Sequence, residues 1–432
     1  MNAKANNTKD KVRELQRKLY LSAKTSKKRR FHALYDKVYR KDILEEAWKR
    51  VKEKKGSGGI DGISLKHIED YGVEKLIQEI QDELSTNHYH PKPVKRVYIP
   101  KKDGGKRPLG IPIIKDRIVQ MATKIVIEPV FEADFKDSSY GFRPKRSQHM
   151  ALDKISYHCN NGGYWVLDAD IKAYFDTINH EKLIKLIEMR ISDKRIIKLI
   201  RKWLKVGCIE DGDYLQTEMG APQGGVISPL LSNIYLNYLD VKWEKHYAHL
   251  GTLIRFADDF VIISKNKKSI NHAYKVVKEI MERLEITIHP EKTKIVELID
   301  LKQSFVFLGF EHRRKLIKMR NGIIISRTVQ EPSKKAMQSM RDKIKEVVNN
   351  RNTLSNSLEG IVKILNRKLQ GFKNYYRLRY ISPKLRQLDW YVQMKMTRWY
   401  NHKRQISPRL SGLEEMGKLL SRIGIVKLGL AR

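Results

Sequence analysis

The sequence predicts an α+β fold with a largely antiparallel sheet, followed by a helical region. Residues 94–114 and 252–264 each contain two apolar, strand-like runs joined by a short turn, which is typical of hairpins. Residues 164–310 combine strands and helices in mixed order. Beyond Pro332 the apolar residues recur at helical spacing. We therefore expect a mixed domain first and a helical domain after it.

The N-terminal residues place apolar positions at helical spacing within a polar, basic background. Two or three helices are predicted over residues 7–50, and the glycine-rich residues 56–59 end them. In the first hairpin, residues 94–99 would pair with residues 109–114. The loop between them carries four Lys or Arg residues. We therefore expect a cationic loop at the tip of this hairpin.

The remaining elements follow from the period of the apolar residues, which is two in strands and 3.6 in helices. Strands are predicted at 164–171, within the hairpin 252–264, and at 305–310. Helices are predicted at 76–84, 181–187, 192–204, 228–244 and 272–284. Two more helices carry apolar stripes that run from Ala336 to Val347 and from Leu358 to Tyr376.

The charge of the chain points to a polyanionic partner. Its 432 residues include 87 Lys and Arg but only 49 Asp and Glu, a formal net charge of +38. Such a field destabilises the compact state by self-repulsion, so nucleic acid is a better explanation than a merely solubilising surface. Because 41% of the residues are hydrophobic, the charge belongs to a folded protein rather than to a disordered tail.

Composition excludes several other classes of protein. No apolar run approaches the ~18 residues that a membrane-spanning helix needs, and the N-terminus has no apolar signal segment, so we expect a cytoplasmic protein. The two cysteines, Cys159 and Cys208, are far apart in the sequence and form no C-x-x-C pair. They exclude a disulfide framework and a cysteine-based zinc site.

Two acidic segments predict a metal site. Asp258 and Asp259 lie between two apolar runs, at the expected tip of the hairpin, where adjacent like charges are unfavourable unless they share a cation. In the strand 164–171, alternation puts Asp168 and Asp170 on the face opposite the apolar residues. If the two segments are neighbours, Asp170 and Asp258 can converge on Mg²⁺, which takes one or two carboxylates. The alternative is that these are ordinary turn and cap acids.

Four sequence segments carry a resemblance to a known family. Residues 256–259 (FADD) resemble the F/Y-x-D-D box of reverse transcriptases. Residues 106–112 (KRPLGIP), 139–144 (SYGFRP) and 220–233 (GAPQGGVISPLLSN) resemble further boxes, which occur in family order. Together they are similar to the reverse transcriptases, or maturases, that bacterial group II introns encode. The resemblance covers about residues 30–400.

The resemblance implies a right-hand polymerase, with fingers and a palm built on an antiparallel sheet, followed by an α-helical thumb or maturase domain. The implied domains are an N-terminal RNA-binding extension (1–90), fingers (91–165), palm with interleaved finger elements (166–325), thumb (326–405) and a short C-terminal tail (406–432). No cysteine pair follows the thumb, so we expect no zinc-bearing nuclease of the kind that many relatives carry. DNA binding by the tail stays open.

The resemblance also implies roles for individual residues. Asp170, Asp258 and Asp259 would be the catalytic and metal-binding acids, with Asp259 ranked last. They would hold two Mg²⁺ ions, for which Mn²⁺ could substitute. The residues that would bind the incoming deoxynucleoside triphosphate (dNTP) are Lys101, Arg107, Tyr174, Gln223 and Lys292.

Three aromatic or acidic residues near Asp170 leave alternatives open. Tyr174 would exclude the ribose 2′-hydroxyl and so select dNTPs, or it is a core aromatic. Asp176 is interpreted as the cap of the following helix. Asp168 is interpreted as structural.

The activity that the resemblance implies is RNA-directed DNA polymerisation by two-metal phosphoryl transfer, combined with binding of the parent intron RNA to assist splicing and mobility. The expected partners are intron RNA, an RNA template with a DNA primer, target DNA and dNTPs, without a membrane. One alternative is a splicing chaperone whose polymerase activity is incidental. Another is a host enzyme in repair or phage defence. Whether the chain forms a homodimer is undecided by the sequence.

Overall fold

The computed structural model describes residues 8–100, 104–216, 219–220, 224–319, 321–376, 383–406 and 412–429. The chain forms two compact units. The first contains Met1–Ile155 and Ala169–Lys294, and the second contains Ser156–Asp168 and Ile295–Arg432. The finer division into five domains stays a prediction.

Helices dominate both ends of the described ranges, and strands occur between them. The α-helices are α1 (Thr8–Thr25), α2 (Tyr35–Val38), α3 (Lys41–Glu53), α4 (Leu65–Tyr71), α5 (Val73–Ser85), α6 (Ile114–Glu132), α7 (Gln148–Asn160), α8 (His180–Glu188), α9 (Lys194–Lys205), α10 (Ser228–Lys242), α11 (Lys267–Arg283), α12 (Lys334–Val348), α13 (Leu358–Tyr375), α14 (Pro383–Lys403) and α15 (Leu413–Ile423). The strands are β1 (Val94–Pro100), β2 (Lys106–Ile111), β3 (Trp165–Ala169), β4 (Cys208–Glu210), β5 (Asp213–Leu215), β6 (Thr252–Phe256), β7 (Asp259–Ser264), β8 (Lys294–Glu297), β9 (Ser304–Phe307), β10 (Phe310–Lys318) and β11 (Ile324–Pro332). None of these helices is long and apolar enough to cross a membrane.

The hairpin predicted at 94–114 is confirmed. β1 and β2 pair antiparallel, with Val97 opposite Leu109 and Pro100 opposite Lys106. β4 pairs with β1 in parallel, and β5 completes the sheet in the order β2-β1-β4-β5. The sequence does not predict β4 and β5, because strands of three residues are too short to show alternation.

The hairpin predicted at 252–264 is also confirmed, as β6 and β7. Leu253 pairs with Ile262, and Ile254 pairs with Val261, all of them buried. This hairpin belongs to a four-stranded sheet. The helices predicted at 228–244 and 272–284 are α10 and α11. Buried residues, both apolar and polar, occur on most sides of α10, as expected of a helix in a protein interior.

Backbone contacts attach the N-terminal segment to the rest of the first unit. The N–H of Phe31 donates to the carbonyl oxygen of Arg190 (2.8 Å), and the carbonyl oxygen of Phe31 accepts from the N–H of Ser192 (2.9 Å). The buried guanidinium of Arg190 donates to the carbonyl oxygen of Ala23 (2.8 Å) in α1 and lies 3.0 Å from the carboxylate of Asp134. The loop between α8 and α9 therefore holds both α1 and the segment that follows it.

The second unit contains a three-stranded antiparallel sheet in the order β11-β10-β9. The prediction of one strand at 305–310 is wrong in its extent. β9 ends at Phe307 and β10 begins at Phe310, because Leu308 and Gly309 form a turn with positive φ angles of 50° and 78°. The sequence does not predict the long β10–β11 hairpin, since Arg and Lys side chains interrupt the alternation of apolar residues in β10.

Helices α12 to α15 share the hydrophobic core of the second unit. The two apolar stripes predicted beyond Pro332 are buried in it, for example Ile344 in α12 and Leu365 in α13. Trp399 of α14 and Leu420 of α15 complete the core. The last described residues join the same unit, because Leu428 is buried in this core.

Candidate active site

The turn of the β6–β7 hairpin presents its two aspartates differently. Phe256 pairs with Asp259, so Ala257 and Asp258 form the two-residue turn. Ala257 has a φ of 58°, in the left-handed region that such hairpin turns require. Asp258 is half-buried, whereas Asp259, the first residue of β7, is exposed. The adjacent carboxylates therefore have different surroundings.

Asp170 follows β3 and is held by the segment 289–293. Its N–H donates to Oγ1 of Thr293 (3.3 Å), and its carbonyl oxygen accepts from the N–H of His289 (2.8 Å). Oδ2 of Asp170 lies 3.2 Å from Nζ of Lys292. The Lys292 side chain is exposed, so this ion pair opens at little cost in free energy. Two of the predicted site residues, Asp170 and Lys292, are therefore neighbours.

Asp258 and Asp170 interact electrostatically. Burial raises the pKa of Asp258, and the negative charge of Asp170 raises it further. The positive charges of Arg107 and Arg255 lower the pKa of Asp258. A partly buried carboxylate beside a second carboxylate is stabilised in its charged form by a cation that both share.

The donor set of this site fits a hard divalent cation. Asp170 and Asp258 offer carboxylate oxygens, which are the ligands that Mg²⁺ prefers. Among the described residues, no group of three or more His, Cys, Asp or Glu side chains forms a complete metal site. Two carboxylates are sufficient for Mg²⁺, because water and substrate phosphates fill its other positions. The residues present therefore fit a magnesium ion that a substrate helps to bind.

A buried ion pair lies behind the acidic turn. Neither the Arg255 nor the Asp240 side chain is exposed to solvent, and Nε of Arg255 donates to Oδ1 of Asp240 (3.0 Å). Nη1 of Arg255 donates to the carbonyl oxygen of Ala257 (2.8 Å) and to Oδ1 of Asn233 (3.1 Å). The guanidinium thus connects α10 to the backbone of the residue that precedes Asp258.

Three of the four sequence boxes meet at this ion pair. Nδ2 of Asn233, from the box at 220–233, donates to the carbonyl oxygen of Gly141 (2.8 Å), from the box at 139–144. A Cβ atom on Gly141 would lie 2.3 Å from the backbone nitrogen of Ala257, so only glycine fits there. The position of the acidic turn therefore depends on both of the other boxes.

Two described glycines of the segment 220–226, Gly220 and Gly224, lie close to the backbone of other segments. The N–H of Gly220 donates to the carbonyl oxygen of Ile178 (2.9 Å). Gly224 has a φ of 111°, and a Cβ atom there would lie 2.7 Å from the carbonyl oxygen of Gly110 in β2. Gln223 lies outside the described residues, as does Lys101. Their contacts with dNTP stay predictions.

Tyr174 is a core residue in this structure. Its side chain is 2% exposed, and its hydroxyl donates to the carbonyl oxygen of Ser232 (2.8 Å). The ring of Phe175 packs edge-on against it, with centroids 5.3 Å apart. This burial favours the core aromatic, the second of the two predicted roles.

The predicted capping role of Asp176 is wrong. The N-cap of α8 is Asn179, whose side chain accepts from the N–H of Lys182 (2.9 Å). Asp176 belongs to a short 3-10 turn before the helix and is exposed. Asn and Asp are both good caps, and the helix begins too far from Asp176 for it to serve. Asp168 lies half-buried in β3.

The residues that support the acidic turn were not among the predicted site residues. The sequence does contain a signal for them, because a charged residue interrupts each of two apolar segments: Arg255 in β6 and Asp240 in α10. Opposite charges in two elements that are otherwise buried predict an ion pair. Nothing in one sequence shows, however, that Asn233 and Gly141 meet at the same place.

Comparison with known proteins identifies the family. The family model described as reverse transcriptase (RNA-dependent DNA polymerase) matches residues 99–312, and that of the group II intron maturase-specific domain matches residues 337–412. Protein YkfC of Escherichia coli (strain K12) is 35% identical in an alignment of 367 positions, which covers 76% of this chain and 95% of YkfC. The chain belongs to the group II intron reverse transcriptase/maturase family.

Two further proteins are similar to this chain. The group II intron-encoded protein LtrA of Lactococcus lactis subsp. cremoris is 30% identical in an alignment of 451 positions, which covers 84% of this chain and 73% of LtrA. A structure of telomerase from Candida albicans with a fragment of telomeric RNA covers 83% of this chain and 65% of that chain. Its sequence identity is 15% and its TM-score is 0.42.

As a reverse transcriptase/maturase of this family, the chain is an RNA-directed DNA polymerase. The reverse transcriptase match includes Asp170 and Asp258, and the maturase-specific match includes α13 and α14. The predicted fold class, a right-hand polymerase with a helical thumb, is confirmed. So is the family that the four sequence boxes indicate.

Proposed function

We propose that this reverse transcriptase/maturase synthesises DNA at the Asp170–Asp258 site and binds its intron RNA to assist splicing and mobility. The observation that carries the first part is the convergence of Asp170 and Asp258 beside the cations of Lys292 and Arg107. The maturase-specific match supports the second part. Target DNA and an RNA template with a DNA primer are the proposed partners.

Asp170 and Asp258 would hold magnesium during the proposed reaction, and Asp259 is a third candidate ligand. Two bound Mg²⁺ ions, or Mn²⁺ in their place, would activate the primer 3′-hydroxyl and offset charge on the leaving pyrophosphate. The chain itself fixes the carboxylates: the segment 289–293 holds the backbone of Asp170, and Arg255 holds the acidic turn. Ligands fixed in advance need little reorganisation during the reaction.

Lys292 and Arg107 are proposed to bind the phosphates of the incoming dNTP. The ammonium of Lys292 is exposed beside Asp170, so a triphosphate can compete for it. Arg107 is exposed in β2, and its charge acts on Asp258. Arg can bind phosphate through two parallel hydrogen bonds, and Lys acts as a compact charge. For Lys101 and Gln223 the same role rests on the sequence boxes alone.

Primer extension tests the catalytic proposal. With an RNA template, a DNA primer, dNTPs and Mg²⁺, Asp258→Asn and Asp170→Asn should each lower kcat by about 10²-fold or more, because each removes a charged ligand. Asp176→Asn is the matched control, since Asp176 is a nearby exposed acid, and it should keep nearly the full rate. Normal extension by Asp258→Asn would refute the assignment.

Nucleotide selection decides between the two roles of Tyr174. If the ring excludes the ribose 2′-hydroxyl, Tyr174→Ala should admit ribonucleotides while dNTP incorporation continues. If the ring is a core aromatic, both activities should fall together, because the variant leaves a cavity. Tyr174→Phe should then lose only about 1 kcal/mol of stability with its hydrogen bond to Ser232.

A splicing assay tests the maturase proposal. Asp258→Ala should abolish cDNA synthesis, whereas splicing of the chain's own intron RNA should persist, because RNA binding does not require the catalytic carboxylate. Stimulated splicing with wild-type and Asp258→Ala protein alike would support a separate RNA-folding role. An active polymerase that binds no intron RNA would favour the host enzyme in repair or phage defence.

A further inference from the structure

The thumb helices form a cationic pocket that the catalytic proposal does not use. A cavity of about 250 Å³ lies between the end of α12, the turn 351–355 and α14. Its lining includes Arg351, Lys395, Arg398 and His402. Within the described ranges, no Asp or Glu side chain lines it. We name this cavity the α12–α14 basic pocket.

One face of α14 supplies most of the pocket. Lys395, Arg398, Trp399 and His402 recur at the spacing i, i+3, i+4 and i+7, which places them on the same side of a helix. Trp399 is buried and forms an apolar floor, whereas Arg398 and His402 are exposed. Exposed basic side chains thus lie beside an apolar floor.

Hydrogen bonds fix the turn that closes the pocket. Nε1 of Trp399 donates to Oγ1 of Thr353 (3.3 Å). Nζ of Lys403 donates to the carbonyl oxygens of Leu354 (2.9 Å) and Asn356 (2.6 Å). The turn 351–355 is therefore attached to α14, and the position of Arg351 beside that helix is set before a ligand binds.

The cations of the pocket repel one another. Lys395 is half-buried, and burial together with the charges of Arg398 and Lys345 lowers its pKa. Like charges that are held together by the fold are destabilising unless an anion is shared between them. An anion that binds among these cations would therefore be stabilised.

The nearby acids of α12 are engaged elsewhere. Glu346 lies 3.4 Å from Nζ of Lys368, and Asp342 accepts from the side-chain amide of Gln338 (2.8 Å). In the part of the chain that the structure describes, no carboxylate forms an ion pair with Arg351, Lys395 or Arg398. A bound anion would offset this positive charge.

We propose that the α12–α14 basic pocket binds one phosphate group of a nucleic-acid backbone. Arg351 and Arg398 can bind phosphate oxygens bidentately, and Lys395 adds a compact positive charge. The cavity is smaller than the roughly 300–1,000 Å³ of pockets that enclose drug-sized ligands, so it fits a phosphate group better than a whole nucleotide.

A polynucleotide is a better occupant than free phosphate for this chain. One backbone phosphate in the pocket would add to the other weak contacts that a chain of net charge +38 makes with a polyanion, and each contact releases counterions. This proposal rests on the RNA-binding part of the proposed function. It is independent of the Asp170–Asp258 site.

The salt dependence of binding tests the proposal. Fluorescence anisotropy would measure the affinity of the full chain for a labelled RNA–DNA hybrid duplex, without dNTPs or divalent ions. Arg398→Gln should reduce the slope of log K against log salt by about 1 and weaken binding roughly three- to tenfold near 0.15 M salt. Lys343→Gln is the matched control, because Lys343 is an exposed cation of α12 outside the pocket.

Two results would overturn the proposal. The first is an equal change of slope in Arg398→Gln and Lys343→Gln, since only the net charge would then matter. The second comes from amine-reactive labelling of Lys395 in the wild-type chain. The hybrid duplex should protect Lys395, and protection by inorganic phosphate but not by the duplex would indicate a small-anion site instead.

Two controls separate this proposal from folding and from catalysis. Thermal unfolding should show that Arg398→Gln is as stable as the wild-type chain, as expected for an exposed side chain. Asp258→Asn should lose primer extension but keep the duplex affinity and its full salt slope. A failure of the catalytic proposal therefore leaves the binding result intact, and the reverse is also true.

Discussion

Arg255 and Asp240 form an ion pair from which solvent is excluded, and the same guanidinium donates to the carbonyl oxygen of Ala257. Burying two charges is costly, and the pair is tolerated because the remaining donors of Arg255 are also satisfied, one of them by Asn233. The backbone that carries Asp258 is thereby positioned by a charge that never contacts substrate.

Asp240→Asn should destabilise the fold strongly. The amide has nearly the shape of the carboxylate, but the buried charge of Arg255 loses its counter-charge, which costs about 3–5 kcal/mol. Urea unfolding followed by circular dichroism measures the loss. Asp342→Asn, at an exposed position, should change the free energy of unfolding by less than about 0.5 kcal/mol. A similarly small effect of Asp240→Asn would contradict the structure.

Gly141→Ala should impair catalysis. The new Cβ atom would lie within 2.3 Å of the backbone nitrogen of Ala257, so the acidic turn has to shift. A displacement of this size near the reacting groups costs about 10²-fold in kcat, which primer extension would measure. Gly371→Ala is the matched control, because its Cβ atom would meet nothing within 4 Å and α13 gains up to ~1 kcal/mol from alanine. Equal rates for the two variants would disprove the prediction.

His312→Phe should stabilise the second unit. The His312 side chain is fully buried and stacks on Phe305, with centroids 4.6 Å apart. Neither ring nitrogen has a hydrogen-bond partner among the described residues, and each unpaired polar group costs about 1–3 kcal/mol. Phenylalanine keeps the stacking and removes both nitrogens. The free energy of unfolding in urea should therefore rise by about 1 kcal/mol or more, and a decrease would mean that the nitrogens are paired.

The same residue should make stability depend on pH. Burial lowers the pKa of His312 to about 3, whereas histidine in the unfolded chain has a pKa of about 6.5. Between these values only the unfolded chain binds the proton. Stability from this group is therefore full above about pH 6.5 and decreases as the pH falls, by up to ~1.4 kcal/mol per unit. Wild-type protein should lose more stability than His312→Phe on acidification, and parallel pH profiles would contradict this account.

Arg190→Gln should loosen the N-terminal segment. Arg190 donates to the carbonyl oxygen of Ala23 and lies beside Asp134, and its loss leaves these groups without a partner, at about 2–3 kcal/mol. Limited proteolysis should then cleave near the end of α1 earlier than in the wild-type chain. Arg201→Gln removes an exposed pair with Glu181 and should have almost no effect. Unchanged cleavage in Arg190→Gln would show that α1 is held by other contacts.

Local patterns in the sequence were sufficient to predict those parts of the site that lie within one strand or one hairpin. The acids between two apolar runs predict the β6–β7 turn, and strand alternation separates Asp170 from its apolar neighbours. The proximity of Asp170 and Asp258 follows once the sheet forms. The pairing of β1 with β2 was predicted in the same way, but Lys106 and Arg107, two of the four cations expected in the loop, belong to β2, and Lys101 and Lys102 lie outside the described residues.

Contacts between distant segments could not be predicted from one sequence. The approach of Gly141 to Ala257 depends on how whole elements pack, and periodicity carries no information about it. Tyr174 shows the same limit, because its sequence box indicates a nucleotide contact while the bond to Ser232 places the ring in the core. The β10–β11 hairpin was not predicted for a different reason, because charged side chains interrupt the alternation of apolar and polar residues in β10.

The attachment of Phe31 to the backbone of Arg190 and Ser192 limits how far this enzyme can be shortened for laboratory cDNA synthesis. A version that begins after Phe31 would expose hydrogen-bonding groups of the α8–α9 loop and the guanidinium of Arg190 together. A minimal polymerase should therefore retain α1, even though that helix is distant in sequence from the carboxylates.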